Sequence, residues 1–291
     1  MSQTNRENFS FAVRMFRASA SLFKLSLSLA KREITVKQFI LDIEFRFISQ
    51  SKILNDDFDW ERYPNYYREE LKSISKVHTL LIKDKNFEFT NGILVKRDLT
   101  LKDLHPNHEV LYSAVIRLKP NSVLEVGCGG GDHLANINQL AADISLFGID
   151  RAEAQLNTFK ERHPQLLCNT KVFDITQKEC NLQSADLVFT QAVLMHISEK
   201  DQRFQSALSN IFFAANNFVV LVENWTQHDF YTEIKSIQAS NSNWSKSLLY
   251  FIKSNGNPYS SALIVSKNEL SGLSQLISYD QLLAGRKLLV H

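Results

Sequence analysis

The stretch that decides the fold is Ser122-Val123-Leu124-Glu125-Val126-Gly127-Cys128-Gly129-Gly130-Gly131-Asp132-His133. It begins with a short apolar run and then places four glycines within five positions. Glycine is unfavourable inside a regular element, so a cluster this dense indicates a turn in which the backbone adopts positive φ or closely approaches a ligand. The pattern therefore predicts a strand, a tight turn and a helix N-terminus, with a ligand above the turn that faces the helix amides.

The spacing of the glycines narrows the choice of ligand. A dinucleotide fingerprint requires a third glycine where Asp132 stands. The sequence instead reads E-x-G-x-G-x-G, with Glu125 two residues before Gly127, and it resembles motif I of the class I S-adenosylmethionine-dependent methyltransferases. In that family the acid orients the cofactor end of the strand, and the glycine turn passes beneath the methionine part. A zwitterionic ligand that also bears a sulfonium tolerates the negative potential of Glu125 and Asp132. A pyrophosphate is itself negative and is disfavoured beside two acids.

Composition excludes several other classes of protein. Of the 291 residues, 44% are hydrophobic and 22% are charged, which is typical of soluble globular proteins. The net charge of +2 gives no reason to expect a nucleic-acid partner. The three cysteines include no C-x-x-C pair, so neither a disulfide framework nor a metal site is expected. The first residues lack a secretory pattern and no apolar run is long enough to cross a bilayer, which predicts a cytoplasmic protein.

Beyond the glycines, predicted strands alternate with predicted helices. Strands are expected at 145–150, 171–175, 186–191 and 217–223. This alternation predicts an α/β fold with a Rossmann-like, doubly wound and mostly parallel sheet. Two further strands, at 248–252 and 262–266, are separated by a turn and predict a C-terminal antiparallel hairpin. The class I methyltransferase sheet has seven strands and ends in the same way, so the resemblance covers about residues 115–267.

Three regions follow from this assignment. Residues 1–114 are predicted to form an α-rich accessory or lid region, residues 115–267 the S-adenosylmethionine-binding domain, and residues 268–291 a helical tail. Residues 9–30, placed on a helix, combine a narrow basic stripe with a broad apolar face. Two interpretations stay open: the helix packs on this chain or on the second subunit of a homodimer, or it makes peripheral contact with an anionic membrane.

Acids at the ends of successive strands complete the predicted cofactor site. In an open α/β sheet the ligand lies across the carboxyl ends of the strands, where Asp150 and Asp174 are expected. The resemblance implies that Asp150 binds both ribose hydroxyls and that Asp174 reads the adenine amino group. The whole set expected to contact the cofactor is Glu125, Gly127, Cys128, Gly129, Gly131, Asp150, Arg151, Phe173, Asp174, Ile175 and Gln191, with Phe173 or Ile175 covering the adenine ring.

The segment after the fourth strand suggests the acceptor side. Residues 190–197, Thr-Gln-Ala-Val-Leu-Met-His-Ile, resemble the corresponding segment of small-molecule methyltransferases, which often ends in histidine. They match neither N/D-P-P-Y/F nor a Pro-Cys nucleophile, so methylation of nucleic-acid bases is disfavoured. His196 is the candidate general base because imidazole titrates near neutrality, although a structural histidine fits the sequence equally well. Glu223 and His228, after the fifth strand, are the next candidates.

Aromatic residues in two segments are candidate walls of the acceptor pocket. The segment 55–67 is polar, aromatic and interrupted by proline, as in a lid over a ligand, and it contributes Trp60, Tyr63, Tyr66 and Tyr67. The same side chains are equally suited to docking the N-terminal helices on the core. Trp225 and Tyr231 follow the fifth strand and are candidates for the opposite wall.

These features predict an S-adenosylmethionine-dependent O-methyltransferase that acts on a small molecule or a saccharide. Transfer is an in-line SN2 displacement, in which the protein aligns the acceptor and removes its proton. An alternative is N-methylation of a small amine or a protein, which tyrosines facing the pocket would favour through cation–π contacts. The non-enzymatic alternative is a methyltransferase-like scaffold subunit.

Overall fold

The computed structural model describes residues 26, 27, 29–31, 36, 39, 40, 60–63, 82, 86–97, 103–178, 181–255, 257 and 259–283. The chain divides into two compact units, residues 1–59 with 65–76, and residues 60–64 with 77–291. The predicted boundary at residue 114 falls inside the second unit. Within the first unit, Ser26, Leu27, Leu29 and Ala30 are helical, and the rest of the helix predicted at 9–30 lies outside the described residues.

Strands and helices alternate along most of the second unit. The strands are β1 (Phe87–Thr90), β2 (Ile93–Lys96), β3 (Ser122–Val126), β4 (Ser145–Asp150), β5 (Cys168–Val172), β6 (Ala185–Gln191), β7 (Ala215–Val222), β8 (Leu248–Lys253), β9 (Ser261–Ser266) and β10 (Ser274–Gln275). The helices are α1 (Pro106–Leu118), α2 (Asp132–Leu140), α3 (Glu153–Arg162), α4 (Arg203–Ala214), α5 (Phe230–Ser240) and α6 (Asp280–Leu283). Short 3-10 turns occupy Trp60–Arg62, Leu194–His196 and Lys200–Gln202.

The large sheet has the strand order β10-β8-β9-β7-β6-β3-β4-β5. Strands β3 to β7 pair in parallel, and β9 runs antiparallel to both β7 and β8. The expected α/β fold with a mostly parallel sheet and a C-terminal hairpin is therefore the observed one. The two-residue strand β10 adds an eighth strand at the edge, which the sequence did not predict.

Apolar side chains cover both faces of the sheet, with successive residues of a strand on opposite faces. On β3, Leu124 packs with the cluster beneath α4 and α5, whereas Val123 packs with the cluster beneath α1, α2 and α3. Successive side chains of a strand point to opposite faces, so a strand that is apolar at every position requires helices on both sides. Because helices cover both faces of the sheet, a ligand that reaches the sheet does so at the strand ends and at the turns that follow them.

Two predicted elements differ from the structure. The third parallel strand was predicted at 171–175, but β5 ends at Val172 and Asp174 lies in the loop beyond it. The error arose because Phe173 and Ile175 are buried although they lie outside the strand, while the edge strand itself is largely exposed. The helical tail predicted at 268–291 is wrong over the first part of its length, since β10 forms there, and residues 284–291 lie outside the described residues.

Candidate functional site

The glycine turn joins β3 to α2 at the carboxyl edge of the sheet. Gly127, Gly129 and Gly131 have φ values of 76°, 48° and 79°. A Cβ atom on Gly127 would lie 2.4 Å from Val193 Cγ2, and one on Gly131 would lie 2.6 Å from the Phe159 ring. Positive φ and close approach together explain why glycine stands at both positions.

Asp132, which replaces the third glycine of a dinucleotide fingerprint, joins α2 to α3. Its Oδ1 accepts hydrogen bonds from the Arg162 guanidinium and, at 2.8 Å, from His163 Nε2. The three side chains are nearly buried. The charge of Asp132 is thus paired on the helix side of the turn, and the residue also suits the positive end of the α2 dipole.

Asp150 ends β4 and lies directly against the glycine turn. Its Oδ2 accepts a hydrogen bond from Gly129 N at 3.0 Å, and its Oδ1 accepts one from Ala152 N at 2.9 Å. Burial raises the pKa of this carboxyl group, while the two backbone hydrogen bonds act in the opposite direction. Arg151, the next residue, is exposed. The predicted ribose acid and the predicted turn are therefore adjacent.

Glu125 lies in β3 beneath the turn and is only 1% exposed. Within the part of the chain that the structure describes, its Oε2 has no hydrogen-bond partner. Burial raises the pKa of Glu125 well above its ordinary value, and the nearby charges of Asp132 and Asp150 raise it further. An unsatisfied buried acceptor of this kind requires an explanation, and a donor group on a ligand supplies one. Cys128, in the turn itself, is also buried, which raises the pKa of its thiol.

The residues predicted to surround adenine lie in the loop after β5. Asp174 Oδ1 accepts hydrogen bonds from Thr176 N at 2.9 Å and from Thr176 Oγ1 at 2.8 Å. The Arg203 guanidinium lies 3.8 Å from Asp174 Oδ2. Phe173 and Ile175 are buried in the core cluster beneath α4 and α5. Their backbone borders the sheet edge, because Phe173 N donates to Asp150 O at 2.9 Å.

His196 meets the aromatic segment that was predicted as a lid. The Trp60 and His196 rings lie 5.6 Å apart between centroids, and the Trp60 and Tyr63 rings lie 5.5 Å apart. The structure therefore brings three of the predicted acceptor-side residues together. Tyr66 and Tyr67, from the same segment, lie outside the described residues.

Glu61, which no sequence pattern singled out, anchors this aromatic segment. Its two carboxylate oxygens accept hydrogen bonds from Glu153 N at 2.8 Å and from Ala154 N at 2.9 Å. These amides open α3, just after Asp150, and helix N-terminal amides prefer an acidic partner. No local pattern could have revealed the contact, because the partners are 92 and 93 residues apart in sequence.

Glu223 and His228, predicted as alternative bases, contact the backbone of the loop that carries His196. Glu223 accepts hydrogen bonds from the amides of residues 193–195 and from Thr190 Oγ1. His228 Nε2 donates to Leu194 O at 3.1 Å, while its Nδ1 lies 2.9 Å from the Glu199 carboxylate. Both side chains therefore hold the loop in place through these contacts, and their role as alternative bases stays a prediction.

Trp225 and Tyr231 do not join His196. Trp225 is 1% exposed and packs in the core against Phe230, so it does not wall an open pocket. Tyr231 lies beside Tyr279, with 6.4 Å between ring centroids. In the described portion, no ring contact connects either residue with His196. The prediction that they line the acceptor site is not supported by these contacts.

A group of hydrogen-bonded polar side chains beside the glycine turn was not predicted from the sequence. His133 Nε2 lies 3.3 Å from Gln191 Oε1 at the end of β6, and His133 Nδ1 lies 2.8 Å from Tyr112 Oη. His133 is the last residue of the quoted glycine stretch, which could have drawn attention to it, whereas Tyr112 carries no comparable signal. Across the described ranges, no group of three or more histidine, cysteine or acidic side chains is arranged to hold a metal ion. None of the described helices has the length and apolarity needed to cross a bilayer.

Comparison with known proteins identifies the family. Residues 119–263 match the family described as a methyltransferase domain. A curated relative, the carboxy-S-adenosyl-L-methionine synthase of Campylobacter fetus subsp. fetus (strain 82-40), is 25% identical over 135 residues, which cover 44% of this chain. The match spans 58% of that relative's length.

Similar solved structures are more distant in sequence. The plantazolicin methyltransferase BpumL in complex with SAH is 14% identical with a TM-score of 0.42, covering 56% of this chain and 83% of its own. The magnesium protoporphyrin IX methyltransferase ChlM from Synechocystis PCC 6803 with bound SAM is 16% identical with a TM-score of 0.44, covering 55% and 78%. On the family match over residues 119–263, about half of the chain, this part of the protein is a methyltransferase domain, and the observed strand order agrees with the fold expected of the class I S-adenosylmethionine-dependent methyltransferases.

Proposed function

We propose that this protein transfers a methyl group from S-adenosylmethionine to an oxygen atom of a small molecule or saccharide. The observation that carries the proposal is the contact between Asp150 Oδ2 and Gly129 N, at 3.0 Å, at the carboxyl edge of the sheet. This contact supports a single cofactor site, because the predicted ribose acid touches the predicted methionine turn. When bound, S-adenosylmethionine supplies a methyl carbon activated by the sulfonium.

The residues present suit this cofactor. The glycines at positive φ add no side chain to the turn, and at Gly129 even a Cβ atom would meet nothing closer than 3.7 Å, so a ligand can approach the backbone there. The buried Oε2 of Glu125 is an acceptor without a partner among the described residues, and an ammonium group on a ligand would satisfy it. Asp150 is the candidate for the ribose hydroxyls, where a ligand would replace its backbone donors. Asp174 is the candidate for the adenine edge, with the backbone of Phe173 and Ile175 beside it.

His196 is proposed to accept the proton of the acceptor hydroxyl. It lies on the loop after β6, and the Trp60 ring lies beside it, with 5.6 Å between the ring centroids. Glu223 and His228 hydrogen-bond to the backbone of this loop, so the imidazole is carried by a segment that is held in place. A base that is positioned before the substrate binds loses less entropy at the moment of reaction.

N-methylation is the second candidate, because Trp60 and Tyr63 lie 5.5 Å apart beside His196. Aromatic faces bind cationic amines, and Trp is the strongest partner for a cation. Cytoplasmic location, a homodimer and membrane contact through residues 9–30 remain predictions, and the division at residues 114 and 267 is proposed on the sequence alone.

A labelled-methyl assay tests the proposal. The purified protein, S-adenosylmethionine labelled in the methyl group and fractionated cell extract are incubated, and labelled products are identified by mass spectrometry. We expect label on an oxygen atom of a small molecule, with S-adenosylhomocysteine released. Label on nitrogen would favour the second candidate. The same spectra detect a carboxylated cofactor, the product for which the curated relative is named, and its formation without methyl transfer would contradict the proposal.

A further inference from the structure

A continuous chain of hydrogen bonds runs through the core to the edge of the glycine turn. It begins at Ile82 N, which donates to Asn136 Oδ1 at 2.7 Å. Asn136 Nδ2 donates to Tyr112 Oη at 2.8 Å, and Tyr112 Oη lies 2.8 Å from His133 Nδ1. The chain ends where His133 Nε2 lies 3.3 Å from Gln191 Oε1. These contacts connect α1 and α2 with the last residue of β6.

The direction of every bond is determined by the two ends. A backbone N–H can only donate, so Asn136 Oδ1 accepts the hydrogen bond from Ile82 N, and the Asn136 Nδ2 group donates to Tyr112. At the other end, Gln191 Oε1 can only accept, so the proton of the neutral His133 ring is on Nε2. His133 Nδ1 then accepts the hydroxyl proton of Tyr112. Burial lowers the pKa of His133, which agrees with a neutral ring.

The consequence appears at Gln191. Because its Oε1 accepts from His133, the part of its amide that remains for a ligand is the Nε2 group, which only donates. Gln191 follows Thr190, which pairs with Val126, the last residue before the turn. The side chain is partly exposed at this edge. A fixed donor therefore stands beside the glycine turn.

The position of this donor selects one part of the cofactor. The sheet order places β3 between β4 and β6. With the ribose at Asp150 on the β4 side, a ligand that crosses the turn brings its amino-acid end to the β6 side. Its ammonium group can only donate, whereas its carboxylate can only accept. The carboxylate is therefore the group that matches a donor at Gln191.

We propose that Tyr112, Asn136 and His133 orient Gln191 so that its amide donates to the α-carboxylate of the methionine part of the cofactor. The three are positioning residues, and the inference rests on the proposed function. On this proposal, the polar group beside the turn selects ligands that carry an amino-acid end.

Calorimetric titration with two ligands tests the assignment. S-adenosylhomocysteine carries the amino-acid end, and 5′-deoxy-5′-methylthioadenosine keeps the nucleoside and the sulfur but lacks that end. We expect Tyr112→Phe to weaken S-adenosylhomocysteine binding about tenfold and to leave methylthioadenosine binding unchanged. Tyr250→Phe is the matched control, since it removes another hydroxyl from the same core, one that accepts Leu270 N at 3.0 Å. In Tyr250→Phe, the ratio of the affinity for S-adenosylhomocysteine to the affinity for methylthioadenosine should equal the wild-type ratio.

Gln191→Glu is the second variant, because it keeps an acceptor for His133 and replaces the donor with a negative charge. We expect it to weaken S-adenosylhomocysteine binding by more than about tenfold and again to leave methylthioadenosine binding unchanged. Equal weakening of both ligands by Tyr112→Phe, or wild-type affinity for S-adenosylhomocysteine in Gln191→Glu, would overturn the assignment. A folded wild-type protein that binds neither ligand would overturn the proposed function and this inference with it, so the two failures are distinguishable.

Discussion

The variant Glu223→Gln tests whether Glu223 holds the loop after β6 or transfers a proton. Oε1 of Glu223 accepts from Thr190 Oγ1 at 2.8 Å, from Val193 N at 3.0 Å and from Leu194 N at 3.2 Å. Oε2 accepts from Met195 N at 3.1 Å. Glutamine keeps one oxygen for the first three donors, but it turns an amide group towards the fourth. The variant therefore loses one buried hydrogen bond and places two donors face to face.

The expected cost follows from that geometry. A buried N–H left without an acceptor costs about 1–3 kcal/mol of unfolding free energy. For a domain of this size, each kcal/mol shifts the melting temperature by about 2–4 °C, so we expect a decrease of about 2–12 °C. Burial raises the pKa of Glu223, and the four hydrogen bonds oppose that rise. These donors face acceptor oxygens, which fits a carboxylate that stabilises the loop.

The assay combines thermal unfolding with a pH profile of kcat. We expect Glu223→Gln to lose stability while the pH at which kcat changes stays where it is in the wild type. Glu199→Gln is the control, because this carboxylate is 62% exposed and its pair with His228 should contribute about 1 kcal/mol or less. Wild-type stability together with a kcat about 10²–10⁴-fold lower and a lost pH limb would refute this reasoning and make Glu223 the base.

Three further predictions concern the turn and the acceptor loop. Gly131→Ala should be much less stable than Gly129→Ala in urea unfolding, because both have positive φ but only Gly131 would meet the Phe159 ring at 2.6 Å; equal losses would contradict this. Burial raises the pKa of Glu125, so wild-type stability should fall as pH rises from the ordinary glutamate range towards the raised pKa. Glu125→Gln should make that fall smaller, while Asp150 and Glu223, whose pKa values burial also raises, still contribute; a loss of stability between about pH 4 and about pH 8 that is the same in the variant and in the wild type would count against this. His196→Ala should lower kcat about 10²–10⁴-fold with S-adenosylhomocysteine binding retained, and near-normal turnover would exclude it as the base.

The parts of the fold that could be predicted are those with a local signal. The glycine turn and the acid at the end of β4 are each encoded within a few residues, because positive φ favours glycine and an apolar run marks the strand that the acid ends. The edge strand β5 was misplaced because its own residues are exposed, while the apolar Phe173 and Ile175 belong to the following loop.

The roles of side chains that bind distant backbone could not be predicted. Glu223 accepts from residues 28 to 33 positions earlier, so its sequence neighbours carry no trace of the contact. Tyr112 and Asn136 lie on helices whose other inward residues are mostly apolar, and a polar residue at such a position looks like any buried side chain. The sequence shows where each acidic or polar side chain stands along the chain, but only the folded chain shows which distant group that side chain binds.

Titration of S-adenosylmethionine and of S-adenosylhomocysteine into the folded protein tests the central claim most directly, with Asp150→Ala measured in parallel. We expect one-site binding of both ligands to the wild type and affinities at least about tenfold lower for the variant, whose fold is retained. A folded wild-type protein that gives no heat of binding with either ligand would contradict the assignment of a cofactor site to the glycine turn, and equal affinities in the variant would contradict the assignment of Asp150.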